Sequence, residues 1–388
     1  MVFTLEALQA KHGDALLLHY GEAGSPQLIV IDGGPSGVYR EVLKRRLDAI
    51  KQARSPEERL PIRLVMVSHI DDDHITGILE LSRDLVTMQE DRKDLPYKIQ
   101  GLWHNSFDDI LGDKSENHFA SLQNAAVAAA SADDTPIDLP LSRHGAMVMA
   151  SVNQGRSLRN NARALTLSVN KDKAFPTGIV LAPKTGQQAV PLGGGLAFTV
   201  LGPNQQQLEQ LQKEWDKQLK RLKVAKKVEA QAIIAAFVDN SVYNLSSIIL
   251  LATLGDRRML LTGDARGDHI IIGLKTAGLL QGDRFHVDLL KLPHHGSVRN
   301  VAPEFFHQVT ADHYVISANG KYGNPEIATL QMISEARGQD EYTIYLTNKE
   351  ARLEEFFAQE RASDKKYQVK YRQESSLSIP INLEEAML

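Results

Sequence analysis

The sequence VMVSHIDDDHITG, residues 65–77, determines how the rest of the chain is interpreted. Residues 64–67 have the apolar composition of a buried strand, and Gly77 and Ile78 begin a segment with helical periodicity. The two histidines and three aspartates between them therefore lie on a strand-to-helix turn. Carboxylates packed this closely repel one another unless a cation neutralises them, and histidine nitrogens can share its coordination sphere. The stretch predicts a metal site.

Composition limits the ligands of such a site. The chain has 388 residues, of which 43% are hydrophobic and 24% are charged, values typical of compact globular proteins. The absence of cysteine excludes disulfides and thiolate ligands, so a metal must be held by histidine, aspartate or glutamate. The net charge of −4 gives no global attraction to nucleic acid, although a local basic track remains open.

The amino-terminal sequence MVFTLE lacks the basic start and the long apolar core of a signal peptide. No later run approaches the roughly 18 apolar residues of a membrane-spanning helix. We therefore expect a cytoplasmic protein with no membrane segment.

Strand and helix patterns alternate along the chain, which predicts an α/β fold. Residues 106–190 are interpreted as an insertion of uncertain structure, with helices expected at 120–132 and 151–167. Residues 205–236 have the periodicity of one long amphipathic helix with a lysine-rich outer face, which we interpret as a solvated face in preference to a phosphate-binding surface. Residues 344–346 are expected to form the last strand.

Two more apolar strands end in residues suited to metal binding. One ends at Thr262-Gly263-Asp264, and the other ends at Pro293-His294-His295-Gly296-Ser297. In layered α/β folds the loops beyond strand ends gather ligand sites, because the strands fix where those loops point. Residues far apart in sequence can therefore converge with the 69–74 cluster.

Taken together, these motifs resemble the metallo-β-lactamase superfamily. The closest resemblance is to the hydrolase domain at the carboxyl terminus of bacterial DNA-uptake (competence) channel proteins. The motifs are His69-x-Asp71-x-Asp73-His74, Thr262-Gly263-Asp264 and Pro293-His294-His295-Gly296-Ser297, with support from Gly13-Asp14-Ala15, Ile31-Asp32-Gly33-Gly34 and Asn244-Leu245-Ser246. The resemblance implies a four-layer αββα sandwich with helical insertions over residues 1–348. Residues 349–388 would form a tail that packs on this domain or extends it.

The resemblance also implies a site with two divalent metal ions at one edge of the sandwich. The implied metal ligands are His69 and Asp71 for the first ion, Asp73, His74 and His295 for the second, and Asp264 as a bridge. Asp73 would also orient the attacking water, and His294 would handle protons, so both are catalytic candidates. Asp14 and Asp32 would hold ligating histidines from outside the coordination sphere.

Three positions depart from the family pattern. Asp71 stands where a histidine is usual, and this oxygen ligand shifts the preference from zinc towards manganese or magnesium. The third histidine of the superfamily has no clear match; His104, His118 and His144 are the candidates. Asn324 stands where the competence branch has a histidine after Tyr-Gly.

The sequence therefore predicts a binuclear metallo-hydrolase, with zinc or manganese favoured and magnesium open, that cleaves phosphodiester bonds in nucleic acid or a nucleotide. The candidate substrate or phosphate contacts are Lys291, Ser297, Arg299, Lys321, Tyr322 and Asn324. Two alternatives stay open: a hydrolase of a small ester, lactone or amide, and a degenerate metal-binding sensor or interaction protein. The motif residues could instead be turn, helix-cap or core residues, and His12 and the other remaining histidines are interpreted as ordinary.

Overall fold

The computed structural model describes residues 1–106, 109–110, 143–222, 243–362 and 365–384, and within them the chain is an α/β protein. Its strands are β1 (Val2–Leu8), β2 (Leu16–Gly21), β3 (Gln27–Ile31), β4 (Leu60–Ile62), β5 (Leu64–Met66), β6 (Tyr97–Ile99), β7 (Leu102–Trp103), β8 (Ala189–Gly193), β9 (Leu196–Gly202), β10 (Ile249–Leu254), β11 (Arg257–Leu261), β12 (Phe285–Lys291), β13 (Val309–Ile316), β14 (Thr343–Leu346), β15 (Gln368–Tyr371) and β16 (Ser378–Asn382). Its helices are α1 (Lys44–Arg54), α2 (Asp72–Glu90), α3 (Arg143–Ala164), α4 (Gln205–Leu222), α5 (Gly267–Thr276), α6 (Pro303–Gln308), α7 (Ile327–Arg337) and α8 (Ala351–Ala362).

The first large sheet has six strands in the order β16-β1-β2-β3-β5-β7. Strands β16, β1, β2 and β3 pair antiparallel, whereas β3, β5 and β7 run parallel. Pro380 lies in the edge strand β16. Proline has no N–H to donate, and an edge strand tolerates it because no further strand lies beside it to accept that hydrogen bond. The parallel half of this sheet has its carboxyl ends at one edge.

The second large sheet has eight strands in the order β15-β14-β13-β12-β11-β10-β9-β8. Strands β8 to β11 pair antiparallel, and β11 to β15 run parallel. Strands β4 and β6 form a separate parallel pair. Each large sheet therefore contains a parallel half, and parallel strands present successive loops at the same sheet edge.

Three hydrophobic clusters account for the packing. The first lies between the two large sheets and contains Phe3, Leu18 and Met66 from one sheet together with Phe198 and Leu289 from the other. The second joins the outer face of the six-stranded sheet to α1, α2 and α3, and the third joins the outer face of the eight-stranded sheet to α5, α6, α7 and α8. Both large sheets are thus covered on two faces.

Helix α2 packs very closely on the loop that follows β3. A Cβ at Gly77 would lie 1.9 Å from the carbonyl oxygen of Gly33, and a Cβ at Gly33 would lie 2.3 Å from the backbone nitrogen of Ile78. Only glycine fits at either position, because a side chain there would collide with backbone. This close approach fixes the start of α2 against the end of β3.

The structure extends and corrects the expected element pattern. The helix expected over 205–236 begins at Gln205 and is described as far as Leu222, whereas 223–242 and the helix expected at 120–132 lie outside the described residues. The expectation that 344–346 is the last strand is wrong, because β15 and β16 follow and add one edge strand to each large sheet. Among the described helices, none combines the length and apolar character needed to cross a membrane.

Candidate metal centre

The candidate ligands lie just beyond the carboxyl ends of parallel strands from both large sheets. Asp32 follows β3 and His69 follows β5 in one sheet, whereas Asp264 follows β11 and His295 follows β12 in the other. All four side chains are buried, with at most 2% of each residue exposed. The sheet topology therefore brings together residues that are more than two hundred positions apart in sequence.

In the described part of the chain, four overlapping groups of ligand atoms meet at this edge, each with its atoms within 4.8 Å of one another. The first group is His69, His74 and Asp264, and the second group is Asp73, His74 and His295. The other two groups contain Asp14, once with Asp264 and His295 and once with Asp32 and His74. Asp264 Oδ1 lies 3.2 Å from His74 Nε2, and its Oδ2 lies 3.8 Å from His69 Nε2. The same Oδ2 lies 3.6 Å from His295 Nε2, and Asp73 Oδ2 lies 3.4 Å from that nitrogen. Asp264 thus stands between the first two groups.

Asp71 contacts the first group. Its Oδ2 lies 3.4 Å from His69 Nε2. Asp71 is the N-cap residue of α2, yet its side chain makes no capping hydrogen bond, so its carboxylate is not occupied by the helix end. Asp72 is different, because it accepts hydrogen bonds from Thr76 Oγ1 at 2.7 Å and from Gln154 Nε2 at 2.9 Å.

Five buried atoms in this cluster make no hydrogen bond within the described part of the chain. They are His69 Nε2, His74 Nε2, His295 Nε2, Asp264 Oδ1 and Asp14 Oδ1. A buried polar atom without a partner costs about 1–3 kcal/mol, so several converging on one point call for a common partner. Nitrogen and oxygen atoms at this spacing fit a divalent cation, which accepts imidazole and carboxylate ligands together.

Hydrogen bonds from residues around the ligand groups fix the orientation of the imidazoles of His74 and His295. Asp32 Oδ2 lies 2.8 Å from His74 Nδ1, and the same carboxylate accepts hydrogen bonds from the backbone nitrogen and hydroxyl of Ser68. His295 Nδ1 donates to the carbonyl oxygen of Ser317 at 2.9 Å. In both residues Nε2 is therefore the nitrogen available to a metal, an arrangement typical of metal-ligating histidines.

Asp14 and Lys291 form a buried ion pair behind His295. The Nζ of Lys291 lies 2.6 Å from Asp14 Oδ2, and each side chain is 1% exposed. Asp14 Oδ1 lies 3.5 Å from His295 Nδ1. The expectation that Lys291 contacts a substrate phosphate is therefore wrong, because its ammonium is enclosed and neutralises Asp14 instead.

The turn that carries the two adjacent histidines has an unusual backbone. His294 and His295 have φ values of 47° and 57°, in the left-handed region that non-glycine residues rarely adopt. Such residues cost of order 1 kcal/mol each and persist where surrounding contacts hold them. His294 Nδ1 lies 2.6 Å from Asn300 Oδ1, and Asn300 Nδ2 donates to the carbonyl oxygen of Asp264. Asn300 thereby connects the two metal-binding loops.

Burial and opposite charge shift the pKa values of the cluster in opposite directions. Burial alone would raise the pKa of Asp73 and Asp264, but the imidazoles of His74 and His295 outweigh it; the pKa of Asp73 falls to about 2, and that of Asp264 lies well below its usual range. Burial alone would lower the pKa of His295, but Asp264 and Asp14 raise it to about 10. Likewise, Asp264 and Asp32 hold the pKa of His74 well above its usual value despite burial. The carboxylates therefore stabilise positive charge at this point.

His104 does not join any of the four groups of ligand atoms. It is buried, neither ring nitrogen makes a hydrogen bond to a side chain in the described part of the chain, and burial together with Arg159 lowers the pKa of its imidazole to about 4. Its Nε2 faces Gly155 of α3, where an added Cβ would lie 3.5 Å away. His144 lies in α3 without a described side chain, and His118 lies outside the described residues.

The expected substrate contacts occupy a loop beside the metal-binding turn. Ser297 Oγ donates to Glu326 Oε1 at 3.2 Å and is buried, so it supports the loop rather than facing outward. Asn324 Nδ2 donates to the carbonyl oxygen of His294 at 3.4 Å. Lys321 and Tyr322 are exposed. Arg299, which follows the metal-binding turn, is also exposed, so Arg299, Lys321 and Tyr322 are the expected contacts positioned to meet a ligand from solvent.

The sequence interpretation missed His12. It lies in the turn between β1 and β2, where the sequence predicts an ordinary histidine, yet the charges of Asp73, Lys321 and His295 act on its ring. The motif Gly13-Asp14-Ala15 was the available signal, because it placed the following residues near the site. A separate cavity of about 740 Å³ lies at the opposite end of the strands, near Arg54 and Arg63, and none of the candidate ligands lines it.

Compared with models of known protein families and with curated proteins, the chain has no match. What it does is inferred below from its own residues.

Proposed function

We propose that this chain is a metal-dependent hydrolase of the metallo-β-lactamase superfamily, with two divalent cations, that cleaves phosphodiester bonds in nucleic acid or a nucleotide. The observation that carries the proposal is the convergence of His69 Nε2, His74 Nε2, His295 Nε2 and Asp264 Oδ1, all buried and without a hydrogen bond. A purely structural cluster would satisfy such atoms with hydrogen bonds, whereas here the approach of His74 Nε2 to Asp264 Oδ1, at 3.2 Å, is an ion-pair contact without a hydrogen bond in the described part of the chain.

The charge of the centre supports two cations rather than one. Its carboxylates are those of Asp14, Asp32, Asp71, Asp73 and Asp264. These five groups carry five negative charges when ionised, and the buried ammonium of Lys291 offsets one of them. Four negative charges remain when the histidines are neutral, and two divalent cations carry four positive charges. Charges buried together in a low-dielectric interior require such compensation.

The order of the layers supports the superfamily. Helices α1 to α3 cover the outer face of one sheet, helices α5 to α8 cover the outer face of the other, and the remaining hydrophobic cluster fills the space between the sheets. This order supports the four-layer αββα sandwich that the motifs imply. The candidate ligands follow strands of both sheets and lie close together, which agrees with the site that the resemblance leads us to expect at one edge of the sandwich.

In this proposal each residue has a defined task. His69 and Asp71 with Asp264 would hold one cation, and Asp73, His74 and His295 with Asp264 would hold the other. Divalent cations in such a centre lower the pKa of bound water and polarise the scissile group. Asp71 supplies oxygen where a nitrogen is usual, which favours manganese over zinc.

The protein groups orient the reacting atoms and move protons. Asp73 is 23% exposed and reaches the centre beside His295, so its carboxylate can accept a hydrogen bond from the attacking water. His294 is 29% exposed, with Nε2 3.5 Å from Asp264 Oδ2 and Nδ1 engaged by Asn300. We assign His294 the transfer of a proton to the leaving group, because its ring is fixed in orientation and remains accessible.

The test offers the purified chain manganese, zinc or magnesium with bis-p-nitrophenyl phosphate, labelled DNA, labelled RNA and a panel of lactones. We expect phosphodiester cleavage that depends on added metal and is lost in His69→Ala and Asp264→Ala. Asp268→Ala and His307→Ala, which change an exposed aspartate and an exposed histidine, serve as matched controls and should retain activity. Lactone cleavage without phosphodiester cleavage would assign the centre to small esters, and metal binding without any cleavage would contradict hydrolysis.

A further inference from the structure

The exposed Lys321 and Tyr322 and the half-buried His12 form a group beside the metal centre, which we name the aromatic rim. Tyr322 is 62% exposed, and its ring meets that of His12 edge to face with centroids 5.1 Å apart. The Nζ of Lys321 lies 4.9 Å from the centre of the Tyr322 ring. In the described part of the chain, the other large apolar side chains with comparable exposure are Met1 and Ile272.

One side of the aromatic rim is attached to the start of α2. The turn that carries His12 is held by a hydrogen bond from the backbone nitrogen of Asp14 to the carbonyl oxygen of Asp73, at 3.1 Å. Ser317 Oγ donates to the carbonyl oxygen of Gly13 at 2.6 Å. A Cβ at Gly13 would lie 2.0 Å from the Asp73 carbonyl oxygen, so the turn touches the backbone of a candidate ligand. His12 therefore lies one residue from this contact.

The other side is attached to the turn that carries His294 and His295. The loop containing Tyr322 is connected to it by Asn324 Nδ2, which donates to the carbonyl oxygen of His294 at 3.4 Å. The backbone nitrogen of Glu326 donates to the carbonyl oxygen of Gly296 at 3.1 Å. Hydrogen bonds therefore anchor both halves of the aromatic rim to the loops that supply metal ligands, and the rim keeps a fixed position relative to the centre.

The chemistry of the rim fits a nucleobase joined to a phosphate. An exposed aromatic ring offers a base a stacking surface that is indifferent to its sequence, and a nearby ammonium offers the phosphate a counter-charge. The edge-to-face contact of His12 supports the Tyr322 ring from one side. A duplex covers the faces of its bases, so only an unstacked base can use such a surface.

We propose that the aromatic rim is a nucleobase-binding subsite, so that the substrate is a single-stranded nucleic acid or a nucleotide whose base stacks on Tyr322 while Lys321 contacts its phosphate. This inference rests on the proposed function for the position of the scissile phosphate. It adds a preference for unpaired bases, which the metal centre alone does not require.

The experiment measures equilibrium binding of a short fluorescein-labelled oligothymidylate to the full chain by fluorescence anisotropy, with a chelator present so that no cleavage occurs. Tyr322→Ala should weaken binding by roughly 5- to 100-fold, and Tyr322→Phe should bind like the parent because the ring is kept. Lys321→Ala should weaken binding and make it less dependent on salt, as expected for a lost phosphate contact. Ile272→Ala and Lys370→Ala are matched controls, the latter an exposed lysine over the Tyr345 ring, and both should bind like the parent.

Two further arms define the ligand. Thymidine monophosphate, added as a competitor, separates a nucleotide substrate from a nucleic-acid strand. If the monophosphate binds about as tightly as the oligothymidylate, the substrate is a nucleotide. If it binds much more weakly, the substrate is a strand. A duplex that binds as tightly as the single strand and is equally weakened by Tyr322→Ala would overturn the proposal.

The result can be separated from that of the proposed function. Cleavage of bis-p-nitrophenyl phosphate with unchanged oligothymidylate binding in Tyr322→Ala would overturn the subsite and leave the hydrolase in place. Weakened oligothymidylate binding in Tyr322→Ala, with no cleavage of bis-p-nitrophenyl phosphate by the parent chain, would support the subsite and overturn the hydrolase.

Discussion

Two buried clusters of histidine and carboxylate lie in this molecule, and they differ in how their polar atoms are paired. The Glu6 cluster, made of Glu6, His19, Arg46 and Arg54, lies where α1 covers the six-stranded sheet. His19 Nε2 contacts Glu6 Oε2 at 3.0 Å, and its Nδ1 accepts from Arg54 at 2.9 Å. Arg46 and the hydroxyl of Ser378 both donate to Glu6 Oε1. Both carboxylate oxygens and both imidazole nitrogens therefore have partners.

The metal centre has the same residue types but a different arrangement. Its histidines point Nε2 into a shared space where three such nitrogens and an oxygen of Asp264 make no hydrogen bond. Its five carboxylates face one lysine, Lys291, whereas in the Glu6 cluster Arg46 contacts the single carboxylate and Arg54 contacts the imidazole of His19. Burial and residue type alone thus do not distinguish a structural cluster from a ligand site. The two clusters are distinguished by the ligand atoms that make no hydrogen bond and by the excess of carboxylates in the metal centre.

The largest expected effect is the loss of hydrolysis when the bridging carboxylate is replaced. Asp264→Asn keeps the size of the side chain but removes the charge placed between the two ligand groups. Because metal polarisation contributes several kcal/mol, at about 1.4 kcal/mol per tenfold in rate, we expect the rate to fall by about 10³-fold or more. Steady-state rates on bis-p-nitrophenyl phosphate measure this. Asp268→Asn is the control, and an Asp264→Asn rate within tenfold of the parent would contradict the assignment.

The second effect concerns stability rather than activity. Glu6→Ala removes the only carboxylate of the Glu6 cluster and leaves His19 and Arg46 without their partner. Breaking a buried charge pair costs about 3 kcal/mol, so we expect the free energy of unfolding to fall by about that amount. Urea denaturation followed by circular dichroism measures it. Activity per folded molecule should not change, and a specific loss of activity would remove the distinction between the two clusters.

A smaller effect is expected when the support of His74 is altered. Asp32→Asn keeps a hydrogen-bonding oxygen but removes the charge that faces His74 Nδ1 at 2.8 Å. Such outer partners are worth about 10- to 100-fold in metal affinity. Isothermal titration calorimetry with manganese should show that Asp32→Asn binds the metal about 10- to 100-fold more weakly than the parent. Unchanged affinity would mean that the orientation of His74 is fixed by other contacts.

The smallest effect is a pH dependence of the Glu6 cluster. Burial would raise the pKa of Glu6, but hydrogen bonds from His19 and Arg46 outweigh it and lower the pKa from 4.5 to about 2. A carboxyl whose pKa is lowered on folding stabilises the protein fully above its unfolded value, and this contribution is lost as pH falls from about 4.5 towards about 2. The free energy of unfolding should therefore fall between about pH 5 and about pH 3.5 in the parent, and by a smaller amount in Glu6→Gln. An equal fall in both proteins would show that Glu6 does not carry this dependence.

The parts of the centre that lie directly after apolar strands could be predicted from sequence. His69, Asp264 and His295 each follow such a strand, and the structure brings them together because parallel strands share an edge. Local pattern was sufficient there, since the strand that precedes each ligand also determines its direction.

The rest depended on contacts between distant segments. Lys291 ends a buried strand, and only its pairing with Asp14, far away in the chain, explains why its ammonium is enclosed. His12 reaches the centre through a turn whose position depends on the backbone of Asp73. Strand β16 pairs with β1 at the other end of the chain, so nothing near it in sequence indicated its partner. Pairing between distant segments is invisible to periodicity, which reports only which face of one element is apolar.

The most direct measurement is the metal content of the purified chain, determined by elemental analysis after equilibration with manganese or zinc and removal of the excess. The ligand atoms that make no hydrogen bond in the described part of the chain, and the four negative charges that remain when the histidines are neutral, predict about two divalent ions per chain, with fewer in Asp264→Ala and the parent number in Glu6→Ala. Less than about one ion per chain under every condition would contradict the metal centre.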